Sequence, residues 1–213
     1  MSALAPVGPG RAGMVRRAEP ADIPEVARIH VQAFPKSFLT ALGRPFLQVY
    51  YRLVSSDPGG IFLVHENSTG IDGFAAGFLQ PLEFYRRMKD ARWTILRCLL
   101  LAVGRRPWVA RRILYHVRQM MLGKRREHSN ECELSSIGVA PQASHRGIGT
   151  ALVQTFLDTA WSHGASCVYL TTDAVGNAEV ESFYRRLGFE LRGDFSQYSG
   201  RRMNEYALRR DKR

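Results

Sequence analysis

Cysteine is scarce in this chain. Its three residues, Cys98, Cys132 and Cys167, are odd in number and far apart. That excludes a disulfide framework and paired Cys/His metal spacing, so no metal is expected and a reducing cytoplasm is the default compartment. Cys132 reads as a small strand residue rather than a nucleophile, because no histidine stands beside it in sequence to activate it. Long apolar runs are lacking too. The most apolar window, residues 95–103, is broken by Arg97 and is far too short to span a bilayer. No charged-then-apolar leader marks a secretory signal; residues 1–13 are rich in Ala, Pro and Gly and read as a disordered leader. No internal repeat is evident. Acids are also in deficit, 19 Asp and Glu against 30 Lys and Arg, for a net charge of +11. That excess calls for an anionic partner.

What is present suits a globular protein. At 213 residues, with 45% apolar and 23% charged residues, the chain fits one domain over residues 14–213 with a sizeable core. A first strand begins at Val15. Asp22 and Glu25 read as the N-cap and third position of a helix with Pro24 in its first turn, ending near Phe34. A second helix is predicted from about Pro45 to Val54, with Phe46, Val49, Tyr50 and Leu53 on one face. Turns at residues 57–60 and 67–70 bound a hairpin of strands 61–66 and 71–79. Later strands are predicted at 133–139, 167–172, 190–195 and 204–209, with a helix over 178–187.

Residues 81–130 form a basic helical insertion, read as two helical segments split by Arg105-Arg106-Pro107. Thirteen of its side chains are Lys or Arg, against Glu83, Asp90 and Glu127 as acids, and aromatics such as Trp93 and Trp108 are interleaved. One reading is a solvated helix pair that covers a sheet edge or meets a second copy of the chain as a homodimer. The other is a site for an anionic acceptor or an anionic membrane surface, which would make the protein peripheral to a membrane. Nucleic acid is a poorer match, since no nucleic-acid module is recognisable.

The most informative stretch is residues 137–153. An apolar strand runs to Pro141, a loop ends in Arg146-Gly147-Ile148-Gly149, and an amphipathic helix opens at once. Glycines that tolerate unusual backbone angles, followed by the free N–H groups of a helix start, make a cradle for phosphate. Arg146 adds a charge-assisted donor. Ordinary strand-to-helix turns also use glycine, so the downstream sequence matters. There, Asp173-Ala174-Val175-Gly176-Asn177 leads into a helix with Val180, Phe183 and Tyr184, closed by Gly188-Phe189.

These two motifs together resemble the GCN5-related N-acetyltransferase (GNAT) family. Its cofactor motif Gln/Arg-x-x-Gly-x-Gly/Ala is filled by residues 144–149, with Ser144 in place of the usual Gln or Arg. Its later motif Asn-x-x-(small)-x-x-Phe-Tyr-x-x-x-Gly-Phe is filled by Asn177, Val180, Phe183, Tyr184, Gly188 and Phe189. The resemblance covers residues 133–209 well and 15–79 loosely. It implies an α/β fold with a mixed, mostly antiparallel sheet flanked by helices, and acetyl-CoA as partner. It also implies that backbone groups of Ile137, Gly138 and Val139 bond the pantetheine arm. The pyrophosphate would be held by Ser144, His145, Arg146, Gly147, Ile148, Gly149 and Thr150. Asn177 would cap its helix and bond the cofactor arm.

For the chemistry, Tyr184 is the candidate general acid, since an ordinary phenol near pKa 10 can protonate a thiolate near 8.5. Glu133 is the candidate base, standing where histone-type relatives carry theirs. His145 and His30 are further titratable options. The reaction expected is direct acetyl transfer to a primary amine, with a phosphate-bearing amino sugar as the leading acceptor. A protein or peptide N-acetyltransferase and a non-catalytic acyl-CoA or membrane-surface binding module are the alternatives.

Overall fold

A computed structural model describes residues 13–105, 130–196 and 201–212. A short strand, β1 (Met14–Arg17), leads through a 3-10 turn into α1 (Ile23–Ala33). Next come α2 (Phe38–Leu42), α3 (Arg44–Ser56) and the hairpin β2 (Gly60–Asn67) and β3 (Gly70–Phe78). Helices α4 (Pro81–Arg87) and α5 (Arg92–Arg105) follow. The chain then runs through β4 (Glu131–Val139), α6 (Ile148–Ser162), β5 (Cys167–Asp173), α7 (Ala178–Arg186), β6 (Glu190–Ser196) and β7 (Arg202–Arg209). The seven strands form one sheet in the order β1-β2-β3-β4-β5-β7-β6. Every pairing is antiparallel except β4 with β5.

Side-chain alternation along β3 sets the layers, because successive residues point to opposite faces. Phe74 faces His30 of α1 and Tyr51 of α3, with ring centroids 6.1 and 5.4 Å apart. Gly73 and Gly77 face α6 instead. A Cβ on Gly73 would lie 2.9 Å from Ile148, and one on Gly77 would lie 2.6 Å from Phe156 and 2.0 Å from the Glu133 carbonyl oxygen. These glycines are what lets α6 lie close against the sheet. The α1/α3 layer and α6 thus bury both faces of β2, β3 and β4, with Leu47, Tyr51, Leu152 and Phe156 fully enclosed. Each such side chain contributes about 1.5–3 kcal/mol by leaving water.

Two local expectations are corrected. Asp22 does not cap α1. Its carboxylate accepts from the Glu19 N–H at 2.7 Å and from Arg16 at 2.7 and 3.1 Å, so the reciprocal turn lies three residues earlier than the sequence suggests. A guanidinium from a neighbouring strand outcompetes the local cap. Helix α2 was not expected at all; Ser37 starts it by accepting from the Thr40 N–H at 3.0 Å.

Of the basic insertion, the first helical segment is present as α4, a 3-10 turn and α5. Arg87 anchors it through two bonds to Asp57, at 2.8 and 3.0 Å. The second segment and residues 1–12 lie outside the described residues.

Candidate active site

The sheet opens where β4 and β5 part. They pair over only three positions, Glu131 with Cys167, Cys132 with Val168 and Glu133 with Tyr169. Beyond Glu133 the strands diverge, and a cleft of about 910 Å³ enters between them. Its walls come from β4, β5, the loop and start of α6, α7, and residues 30–39 of α1 and α2. Opposite the split, β4 stays paired to β3 but carries a bulge. Ala76 pairs with Ser136 and Gly77 with Leu134, leaving Ser135 extra. A bulge bends the strand and re-aims its side chains. The Ser135 hydroxyl is held by Tyr50 at 2.8 Å, and Ser136 is buried at the cleft wall.

The edge of β4 facing the split offers backbone groups with no strand partner among the described residues. That suits an extended amide-bearing ligand, which can pair like an added strand. Ile137 and Val139 line the cleft directly. Gly138 does not: a Cβ there would meet the Phe74 ring at 2.8 Å, so glycine lets β4 pass over α1 and α3.

At the top of β4 the loop turns through Ala140 to Gly147. Both His145 (φ +62°) and Gly147 (φ +78°) are left-handed, and Gly147 sits at the N-cap of α6. These two left-handed positions bring the loop round to the start of α6, where the first helical N–H groups lack intrahelical partners and can take an anion. A Cβ on Gly147 would touch nothing within 4 Å, whereas one on Gly149 would sit 3.4 Å from Phe183. Gly147 therefore serves the loop conformation, and Gly149 serves close packing of α6 on α7. Ser144, His145, Gly147, Ile148, Gly149 and Thr150 line the cleft; Arg146 is exposed and is not brought into its wall.

Tyr184 lies in the wall from α7, 5% exposed, between Phe183 and Phe189. Burial pushes its phenol well above the usual value, so it stays protonated at any working pH. Among the described residues its hydroxyl makes no hydrogen bond, which leaves its proton available. Asn177 occupies the N-cap position of α7 but does not cap it, correcting the expectation. Its amide instead donates to the Asp173 carbonyl at 3.1 Å, clamping the end of β5, and the residue lines the cleft.

Glu133 is set back from the cleft, below the point where the strands part. Its carboxylate oxygens accept from the Tyr85 hydroxyl at 3.4 Å and the Tyr169 hydroxyl at 3.1 Å. Cys132 is wholly buried, and burial drives its thiol far up, so it is inert.

Several cleft residues had no sequence signal as site residues. Arg201 grips Asp173 through both guanidinium branches. Phe34, Lys36 and Phe38 form an apolar wall with one cation. The adjacent serines of β4 were the available hint of the bulge, since polar pairs are unusual within a buried strand. Among the described residues no three His, Cys, Asp or Glu side chains converge to hold a metal.

Comparisons with known proteins agree with this geometry. The profile described as the acetyltransferase (GNAT) family matches residues 23–189. No curated protein matches by sequence. Among solved structures, the ribosomal-protein-alanine N-acetyltransferase from Brucella melitensis superposes with a TM-score of 0.62 at 17% identity, covering 92% of this chain and 99% of its own. An N-acetyltransferase from Staphylococcus aureus gives 0.59 at 17% identity, covering 93% and 98%. The Salmonella typhimurium protein yncA, solved with its cofactor acetyl-CoA, gives 0.59 at 16% identity, covering 95% and 96%. With its profile match over most of its length and its split seven-stranded sheet, the chain belongs to the acetyltransferase (GNAT) family and is an acetyl-CoA-dependent N-acetyltransferase.

Proposed function

We propose that the acceptor is a small primary amine carrying an anionic group, of which a phosphorylated amino sugar is the best representative. One observation carries this reading. Asp173 is the one carboxylate among the described residues of the cleft wall, and Arg201 neutralises it through a two-pronged ion pair. Lys36 and Arg186 line the same cleft, and neither has a carboxylate partner among the described residues. A cationic acceptor such as a lysine-rich peptide would enter a positive site, while an anionic one is drawn in.

In this reading the loop of residues 144–149 holds the pyrophosphate, and the free β4 edge at residues 137–139 holds the pantetheine amides. Bound there, acetyl-CoA supplies an activated acetyl group. Holding the thioester and the amine side by side supplies much of the rate by removing the entropy cost of encounter. A backbone N–H of the β4 edge polarises the carbonyl. Tyr184 gives the departing sulfur its proton. Glu133 steadies Tyr169 and Tyr85 beneath the cleft rather than touching the amine.

A second reading has support among the similar structures: the Brucella protein above is a ribosomal-protein-alanine N-acetyltransferase. A chain-terminal amine would fit if it arrived on a neutral or acidic segment. Thiol release from acetyl-CoA should be measured with glucosamine 6-phosphate, an alanine-terminated peptide and a lysine-rich peptide. The expected result is fastest release with the phosphorylated sugar, and a raised KM for that sugar in Lys36→Glu with acetyl-CoA affinity kept. Preference for the lysine-rich peptide would overturn the anionic assignment.

A further inference from the structure

We propose that the outer face of α5 docks on an anionic lipid bilayer, with Trp93, Leu96 and Leu100 entering the interface and Arg92 and Arg97 on the headgroups. The surface lies outside the cleft, so the inference holds whichever amine is acetylated.

Helix α5 is apolar on two sides, and the fold of the described residues covers only one. Ile95, Cys98 and Leu99 are partly buried and pack against the core, where α5 rests on α3 and α2. Trp93, Leu96 and Leu100 are spaced three and four apart, as one helix face requires, but on the other side. At about 100° per residue they share a sector roughly 60° wide. They are 68%, 42% and 64% exposed. A single exposed leucine needs no explanation. A tryptophan in line with two leucines makes a patch, and such patches mark contact sites.

Charge names the partner. The same helical geometry sets Arg92 on one flank of the stripe and Arg97 on the other. Both are exposed, as is Lys89 in the 3-10 turn before α5, and none of the three has a carboxylate partner among the described residues. Arg86 and Arg87, by contrast, are paired with Glu83 at 2.7 Å and Asp57 at 2.8 Å. Over residues 81–105 six basic residues stand against Glu83 and Asp90. An apolar stripe edged by unpaired cations fits the boundary between acyl chains and negative headgroups. The indole and the leucines leave water there, while each guanidinium reaches phosphate and lays its stem along the apolar surface. A second copy of the chain is a poorer occupant. A twofold contact through this stripe would bring Arg92 and Arg97 against the same cations of the other copy.

The helix lies along the surface rather than through it. α5 has 14 residues, and no helix among the described residues is long and apolar enough to cross a membrane. It packs on α2, which carries Phe38 and Leu39 of the cleft wall, so docking holds the cleft near the bilayer.

The test is co-sedimentation of the full chain with vesicles of phosphatidylcholine alone and of phosphatidylcholine mixed with phosphatidylglycerol, read together with tryptophan fluorescence. A chain of net charge +11 adsorbs to negative vesicles through charge alone, so insertion of the stripe is the deciding readout. The expected result is binding to the mixed vesicles that weakens with salt, with emission shifted to the blue and quenched by brominated acyl chains. Trp93→Phe should remove that signal, which assigns it among the three tryptophans. Leu96→Gln with Leu100→Gln should weaken binding on the order of 10-fold or more, and Arg92→Ala with Arg97→Ala about fivefold per residue. All these positions are exposed, so melting midpoint and acetyl-CoA titration should hold in every variant. Binding without quenching, binding that the leucine variant leaves unchanged, or no binding to the mixed vesicles would each overturn the proposal. A concentration-dependent dimer that Leu100→Glu dissolves would overturn it too, by giving the face to a second copy.

Discussion

The two sides of the split sheet are built differently. On the β3–β4 side both faces are covered, and strand residues from Ile61 to Val64 and from Phe74 to Ala76 are buried in succession, whichever way they point. On the β5–β7–β6 side the sheet thins out. β6 is exposed along its whole length, with Leu191 and Phe195 open to solvent. β5 and β7 still bury Val168, Leu170, Tyr206 and Leu208, but β6 is tied on by charged contacts, such as Arg192 with Glu131 at 2.7 Å and Glu205 at 2.6 Å. Such pairs contribute little each. The lesson concerns where chemistry can be kept. The tightly packed side holds the bulge, the buried His30–Tyr51 hydrogen bond and the left-handed turn at Gly147, all of which need fixed geometry. The thinner side carries Tyr184 and the Asp173–Arg201 pair.

If that contrast is right, the same small change should be felt very differently on the two sides. Gly77→Ala puts a Cβ 2.0 Å from a backbone oxygen and against Phe156, and neither can move far. It should cost about 3 kcal/mol or more by overpacking, seen as a large drop in the urea midpoint. Gly193→Ala on β6 meets nothing within 4 Å and should shift stability by about 0.5 kcal/mol or less. Equal losses would erase the contrast.

Next in size is Tyr184→Phe. It keeps the ring against Phe183 and Phe189 and removes only the proton donor, so kcat should fall about 100-fold while acetyl-CoA affinity and the melting midpoint hold. A variant that kept full turnover would remove the acid role.

A pH experiment reaches into the packed side. Folded His30 is held near 4, below its unfolded value of about 6.5. The unfolded chain therefore takes up a proton first as pH falls. Stability from this group is whole above about pH 6.5 and is lost progressively down to about pH 4, by at most about 3 kcal/mol. Unfolding free energies at a series of pH values should fall more steeply for the unmodified chain than for His30→Asn; parallel curves would show that His30 is not held neutral by burial.

Much of this architecture was legible in the sequence because it rests on local rules. Alternating hydrophobicity and the turn residues placed the hairpin to within a residue at either end. Gly147 and Gly188 read as special backbone positions, and both have positive φ. What was hidden depends on contacts distant in sequence. Tyr51 meets His30 across 21 residues and Arg201 meets Asp173 across 28, so no window of sequence displays either pair. Asp22 and Asn177 show the converse. Each sits at a helix start where its type predicts a cap, and each is drawn off by a nearer partner, Arg16 for one and the Asp173 carbonyl for the other. Propensity named the residue type correctly and lost to competing bonds a few residues away.

The central claim is that acetyl-CoA enters the split between β4 and β5 and is held by the packed side. Amide hydrogen exchange with and without acetyl-CoA tests it most directly. The account predicts slowed exchange at residues 134–139, 143–149 and 177–184, and none on β6. Protection confined to β6, or none anywhere at saturating acetyl-CoA, would contradict it.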